Sequence, residues 1–327
     1  MLITKSVGIV SYGTAVPSKR LSYSQIKNGK DADFDSEKSP LGVETKSVPA
    51  IDEDAVTLAT DAAYQAFSRW GDSTEKINTI NAVFVGSESH PYAVKPTGTV
   101  VAEALGLSKF LSIADLEFAC KAGTQGMQIG TNYILSGMSE HVLAIGADTA
   151  QARPGDVLEF TAAAGAMAVV LGRKKLVARL LATTSYATDT PDFWRREGQA
   201  YPEHAGRFTG EPAYFHHVIT ATKQLLAETN MQPKEIDFCV FHTPNGVFPV
   251  KVAQKLGFTM EQLEPSLRVR SIGNTYSAAA MLALASVLDV VGPHKTILLT
   301  SYGSGAGADS FLFKTTHRMS SFRKKEQ

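Results

Sequence analysis

The stretch DLEFACKAGTQGMQIG, residues 115–130, carries one of the chain's two cysteines, Cys120, between an apolar run and a run of small residues. Upstream, FLSIADLEFAC reads as a strand that delivers its end to the cysteine. Downstream, TQGMQIGTNYILSG reads as a helix. A cysteine at such a handover has two readings. Cysteine is among the most buried residue types, and most lone ones are inert packing. A helix N-terminus, however, carries partial positive charge that favours thiolate over thiol. The small residues after Cys120 permit a tight turn and close approach by a substrate, and free amides in such a turn can stabilise an oxyanion.

Working outward, the same alternation appears on both sides of Cys120. Before it, EDAVTLATDAAYQAFSRW is an amphipathic helix, INAVFVGSES a buried strand ending on small polar residues, and TGTVVAEALGLS a helix; after it, HVLAIGADT is a strand. The second half replays the order. YFHHVITATKQLLAETN is a helix, IDFCVFHTPNG a strand ending on His242, FPVKVAQKLGFT a helix, SLRVRSIGNTYSA a segment that turns at Asn274, AAMLALASVLDVVG a helix, and KTILLTSYGSGAG the final strand. Matching pieces lie roughly 155 residues apart, a self-similarity that decides the fold class. The expectation is a duplicated α/β protein, with halves at 1–172 and 173–327 and sheets covered by helices. In open α/β layers, ligands bind outside the carboxyl ends of strands. Those ends carry Glu88, Cys120, His242 and Asn274.

Composition excludes several classes. The 327 residues have no net charge, with 44% hydrophobic and 20% charged residues, ordinary for a globular protein. This balance gives no electrostatic case for nucleic acid or an anionic membrane surface. No apolar run approaches the roughly 18 residues of a bilayer span, and MLITKSVGIVSYG lacks the order of a signal peptide and reads as a first strand. Two cysteines make no disulfide framework, so a cytoplasmic location is expected. CxxC and HExxH spacings are absent, and no metal site is expected. The basic tail HRMSSFRKKEQ reads as a solvated terminus.

Of the two cysteines, Cys239 lies inside IDFCVF and reads as core. His242 ends its strand before the turn signal TPNG, at the position in the second half that matches the neighbourhood of Glu88 in the first. His204, His216, His217 and His294 lack such a position, and His90, which precedes a proline, reads as lining a loop. Glu88 reads either as an exposed loop acid or, buried near a cleft, as a carboxylate suited to proton transfer. Asn274 offers an amide to orient a carbonyl. SYGSGAG does not match a phosphate loop and reads as close backbone packing near a substrate. Cys, His and Asn from separate strand ends are the parts of a thiol acyltransferase. Glu88 adds a base able to take a proton from an acyl methyl group and create a carbon nucleophile.

These residues, with GVETKSVP (42–49), VGSES (85–89), EFACKAGTQG (117–126), IGADTAQARPGDVLEFTAAAGAMAVVLG (145–172), DFWRREGQAYPEHAGRFTGEPAYF (192–215), HTPNG (242–246) and GNTYSA (273–278), resemble the archaeal 3-hydroxy-3-methylglutaryl-CoA synthases of the thiolase superfamily over nearly the whole chain. The 192–215 stretch is the most specific. The resemblance implies a thiolase fold with five layers, αβαβα. It implies that acetyl-CoA acetylates Cys120, that Glu88 is the general base, that the carbon nucleophile attacks acetoacetyl-CoA with His242 protonating the alkoxide, and that water releases the product for mevalonate and isoprenoid synthesis. Asn274, Ser304 and Thr161 match positions that contact the acyl chain. Asp31, Ala32, Arg207 and Thr209 match positions around the CoA ester. No cofactor is implied, the CoA thioesters being substrates.

One position departs from the family. A lysine usually follows HTPNG, and here it is Val247; Lys251 stands where arginine is common, and the two are not equivalent at a phosphate. Lys255, one helical turn on, can share the face of Lys251. The resemblance further implies a homodimer and a complex with acetoacetyl-CoA thiolase and a small OB-fold scaffold protein. Competing readings are a ketoacyl synthase, which has no need of Glu88, a β-branching synthase acting on carrier-bound acyl groups, and a noncatalytic subunit of a thiolase assembly.

Overall fold

A computed structural model describes residues 1–28, 39–71 and 74–323. Asp31 and Ala32 lie outside the described residues.

The strands are β1 (Gly8–Ala15), β2 (Lys19–Ser22), β3 (Thr45–Val48), β4 (Ile80–Gly86), β5 (Ser112–Leu116), β6 (His141–Thr149), β7 (Ala164–Gly172), β8 (Ala178–Ala187), β9 (Phe193–Trp194), β10 (Glu203–His204), β11 (Phe238–Phe241), β12 (Thr296–Gly303) and β13 (Gly307–Thr315). Nine of them join in the order β11-β12-β13-β8-β1-β7-β6-β4-β5, with β2-β3 and β9-β10 as separate two-stranded sheets. The duplication is visible in this order. The first half runs β5-β4-β6-β7-β1 and the second β11-β12-β13-β8. In each, a parallel pair (β4 with β6, β11 with β12) continues into antiparallel strands. The halves meet where β1 pairs with β8 through only Gly8–Arg179 and Ile9–Ala178.

Side-chain alternation builds the layers. Along β6, Leu143, Ile145 and Ala147 face one core, shared with Ala59, Ala63 and Phe67 of the helix Ala55–Trp70. Val142 and Ala144 face a central core with Met127 and Ile134 of the helix Ala122–Ser136 and with most of the buried helix Ala279–Leu288. Across that core lie β12 residues Ile297 and Leu299; Leu298 turns to a third core with Val218 and Leu225 of the helix Phe215–Thr229. Strands that bury both faces give three cores and five alternating layers. The turn at Ser277 that opens the helix Ala279–Leu288 packs closely on the helix Ala122–Ser136 and on β6 because Gly123 and Gly146 carry no side chain: a Cβ at either would stand 2.6 Å from the Ser277 carbonyl oxygen.

Two expectations change. KTILLTSYGSGAG is not the last strand, because SGA turns the chain into β13, which pairs with β12 along its full length. The strand before Cys120 stops at Leu116; Ala119, at φ +40°, makes the turn, and the helix starts at Ala122. Among the described residues the second half has no counterpart of β5: Glu264–Ser266 and Val269–Ile272 form helical turns there.

Candidate active site

Cys120 and Asn274, like Glu88 and His242, occupy equivalent places in the two halves. Each follows a strand or turn at the same end of the sheet. The Cys120 thiol donates to Glu88 Oε1 at 3.4 Å. Cys120 and His242 are buried, and both line a cavity of about 260 Å3 with Thr161, Thr209, Asn274 and Ser304. Glu88 lines a neighbouring cavity of about 720 Å3; Phe193 and Tyr276 line both. The structure thus brings seven of the sequence-derived candidates to one place, Glu88 reaching Cys120 through the partition. Arg207, stacked 4.5 Å over the Phe208 ring, and Lys251, on the helix Phe248–Leu256, are exposed and line neither cavity. Lys255 is engaged 3.7 Å from Glu211. Val247 is the N-cap of the Lys251 helix, its N–H held 2.9 Å from Asn245 Oδ1.

Local contacts set the geometry. His242 lies one residue beyond β11. Its N–H donates to the Thr300 carbonyl at 2.9 Å and its own carbonyl accepts from the Tyr214 hydroxyl at 2.6 Å. The backbone is therefore held while the ring faces the cavity. Asn274 Oδ1 accepts the Tyr276 N–H at 3.0 Å, which leaves its NH2 end as the donor for a carbonyl. The Asn274 main chain bonds Thr161 and Ala163, joining both halves at the site.

Two buried carboxylates, not singled out in the sequence, order this arrangement. Asp148, at the end of β6, accepts from Ser87 and Ser89 hydroxyls, from the Glu88 N–H at 2.9 Å and from the Ser277 N–H at 2.8 Å. It ties the Glu88 turn to the entry of the opposing central helix. Asp192 accepts from Thr190, the Tyr302 hydroxyl at 2.8 Å and the Gly305 N–H at 2.9 Å, bracing the turn that carries Ser304. Their sequence signal was a carboxylate directly after an apolar strand and another opening DFW. A third buried carboxylate, Asp309, pairs with Lys121 at 2.8 Å and joins the residue after Cys120 to β13.

The electrostatics follow from burial among carboxylates. Desolvation, then Asp148, push Glu88 well above the usual carboxylate range. Desolvation, then Glu88, Asp148 and Asp192, push the Cys120 thiol up as well. The adjoining helix N-terminus favours thiolate by at most about 2 kcal/mol, so the resting group is the thiol. Burial lowers His242 to about 3, so its imidazole is neutral. Its Nδ1 is buried without a partner among the described residues. The site can therefore acylate a sulfur whose proton passes to Glu88, and can offer uncharged N–H donors to a carbonyl oxygen. Among the described residues no cluster of His, Cys, Asp or Glu is arranged to hold a metal.

A duplicated five-layer fold with cysteine, glutamate and histidine at converging strand ends defines an acyltransferase of the thiolase superfamily. Models of 3-oxoacyl-(acyl-carrier-protein) synthase III match residues 114–189, and of its C-terminal part residues 226–315. The chain is 52% identical to the hydroxymethylglutaryl-CoA synthase of Methanopyrus kandleri over 325 residues, covering 99% of this chain and 92% of that one. It is 52% identical to that of Archaeoglobus fulgidus over 316 residues, 97% and 91% of the two chains. A solved HMG-CoA synthase in complex with CoA superposes with a TM-score of 0.88 at 22% identity, over 97% of this chain and 84% of the other. The chain belongs to the hydroxymethylglutaryl-CoA synthase family.

Proposed function

We propose that the chain condenses acetyl-CoA with acetoacetyl-CoA and water to give 3-hydroxy-3-methylglutaryl-CoA and CoA, through an acetyl-Cys120 thioester, in the supply of mevalonate and isoprenoids. The observation that carries this reading is the 3.4 Å Cys120–Glu88 contact beside a neutral, buried His242. Sulfur attacks the acetyl carbonyl as its proton passes to Glu88; the carbon–sulfur bond to CoA breaks, and the departing sulfur takes that proton from Glu88, which is left ionised. Glu88 then removes a proton from the acetyl methyl group. A base with a raised pKa suits this step when ionised. The new carbon nucleophile bonds to the ketone carbon of acetoacetyl-CoA, and the alkoxide takes a proton from the His242 imidazole, which regains one as Glu88 gives up the methyl proton. At a pKa near 3 that ring acts as a neutral donor rather than an imidazolium. Water finally cleaves the thioester at Cys120. Thr161, Thr209, Asn274 and Ser304 line the acyl cavity, and Arg207 and Lys251 serve the CoA ester from the surface. The chemistry uses CoA thioesters as substrates and calls for no metal or cofactor.

A division near residue 172 separates the half that supplies Glu88 and Cys120 from the half that supplies His242 and Asn274. A cytoplasmic location is the reading that the two-cysteine composition supports. A homodimer is supported by β5, an edge strand paired only with β4 among the described residues. Assembly with a thiolase and an OB-fold scaffold rests on the family likeness.

The test is mass-spectrometric product identification from acetyl-CoA plus acetoacetyl-CoA, with radiolabelled acetyl-CoA trapping the intermediate. Wild type should carry acid-stable label on the Cys120 peptide and Cys120→Ala none. Glu88→Ala should still acetylate, more slowly without its proton acceptor, while condensation falls further, about 10²–10⁴-fold. Equal labelling of Cys120→Ala, or normal condensation by Glu88→Ala, would sink the assignment.

A further inference from the structure

The two cavities at the site differ in what they reach. Cys120 lines the smaller one, with the acyl-binding candidates; Glu88 lines the larger one; Phe193 and Tyr276 stand between them. The proposed reaction needs water at one stage only. While the acetyl group is a carbon nucleophile water is a hazard, and at the end it is a substrate. One residue of the larger cavity is built to hold it. His90 is two positions from Glu88, and its side chain is 7% exposed. Its Nδ1 lies 2.8 Å from the Thr97 hydroxyl and 3.6 Å from Asp115 Oδ2. Asp115 is itself fixed by the N–H groups of Thr97 and Gly98. A carboxylate on that side places the ring proton on Nδ1 and leaves Nε2 as an acceptor. Nε2 is buried with no partner among the described residues. A buried acceptor without a partner is costly, and an ordered water is the usual remedy.

We propose that the larger cavity is the water side of the active site, and that His90 Nε2 and Glu88 together hold the water that cleaves the acyl–Cys120 thioester. This rests on the acyl-enzyme reading above. The water donates one hydrogen bond to His90 and passes its other proton to Glu88 as its oxygen bonds to the acyl carbon. The carbon–sulfur bond breaks, Glu88 returns the proton to Sγ, and the new carboxylic acid ionises, releasing its proton into the larger cavity. The same route lets Glu88 trade the proton it takes from the acetyl methyl group with solvent.

The test follows partial reactions of the full chain in D2O with acetyl-CoA alone. Acetyl-Cys120 formation, its hydrolysis, and deuterium entry into the acetyl group are read by mass spectrometry. His90→Leu should form acetyl-Cys120 to at least the wild-type extent, which also reports an intact fold. Hydrolysis and deuterium entry should each fall about tenfold or more. His90→Gln, which keeps an acceptor, should restore most of both, and Thr97→Val, which frees the ring, should lose part. Wild-type hydrolysis and exchange in His90→Leu would overturn the proposal. So would a loss of acetylation in step with hydrolysis, the pattern of a merely structural residue. A wild-type chain that takes no acetyl group overturns the function reading, and this proposal with it.

Discussion

Burial and three carboxylates act on Cys120 in one direction, and the strongest charge among them is also its hydrogen-bond partner. Glu88 therefore disfavours thiolate at rest and, in the proposed mechanism, accepts the proton when sulfur attacks. Replacing Glu88 with Gln removes a negative charge beside the sulfur, so the thiol becomes more acidic. The alkylation rate of Cys120 by iodoacetamide, followed against pH, should have its midpoint at lower pH in Glu88→Gln than in wild type. A midpoint that stays or rises would show that the Glu88 charge does not reach the sulfur. These residues were legible because each follows an apolar strand that stops abruptly, and because a duplicated order gives such positions counterparts. Asp148 and Asp192 were not, because what makes them matter is a bond to the other half or to a distant turn. Asp148 meets Ser277, and Asp192 meets Tyr302 and Gly305; no local pattern displays those partners. Nor does sequence reveal the neutral state of His242, which is a matter of desolvation.

The elements that place Cys120 are a strained turn and a hairpin. The turn Phe118–Lys121 packs on the start and end of the β12–β13 connection: a Cβ on Gly303 would fall 2.4 Å from the Phe118 carbonyl oxygen. Lys121 Nζ reaches past the Phe118 ring, 4.1 Å from its centre, to bond Gln125 and Asp309, and Asp309 also accepts from Ser185 at 2.7 Å. Lys121 and Asp309 are both buried. Removing one partner of such a pair strands a charge, whereas removing both with apolar replacements is nearly neutral. Asp309→Ala should therefore lose about 3–5 kcal/mol of unfolding free energy in urea, and Lys121→Met with Asp309→Leu should recover most of it. If the single and double variants are equally unstable, the ion pair is not what anchors the turn. The helices of both halves were legible from their periodicity, and the strands from β-branched runs. β13 was hidden because its first residues, GADS, are small and polar and follow a glycine-rich stretch, so the chain looks finished where it turns back.

At the scale of the whole molecule, the duplication is incomplete in a way that bears on assembly. The first half ends in β5, and the second half has helical turns where its counterpart would lie. An edge strand with open N–H and C=O groups is a template for another chain unless it is guarded. Here the flanking residues do not guard it: Phe110, just before β5, is 92% exposed, and Tyr92 and Val94, in the loop after β4, are exposed too. Large apolar side chains at an open edge are the composition of an interface rather than of a solvated rim. Two copies joined along β5 would cover these side chains and bring their Glu88–Cys120 halves together. Light scattering coupled to size exclusion should then give the mass of a dimer for wild type. Phe110→Glu changes a side chain that makes little contact within its own chain, so the fold should persist with an unchanged unfolding midpoint at high protein concentration. Its dimer dissociation constant should rise about tenfold or more, as for loss of an anchoring aromatic residue. A monomeric wild type, or a Phe110→Glu dimer as tight as wild type, would remove β5 as the assembly edge.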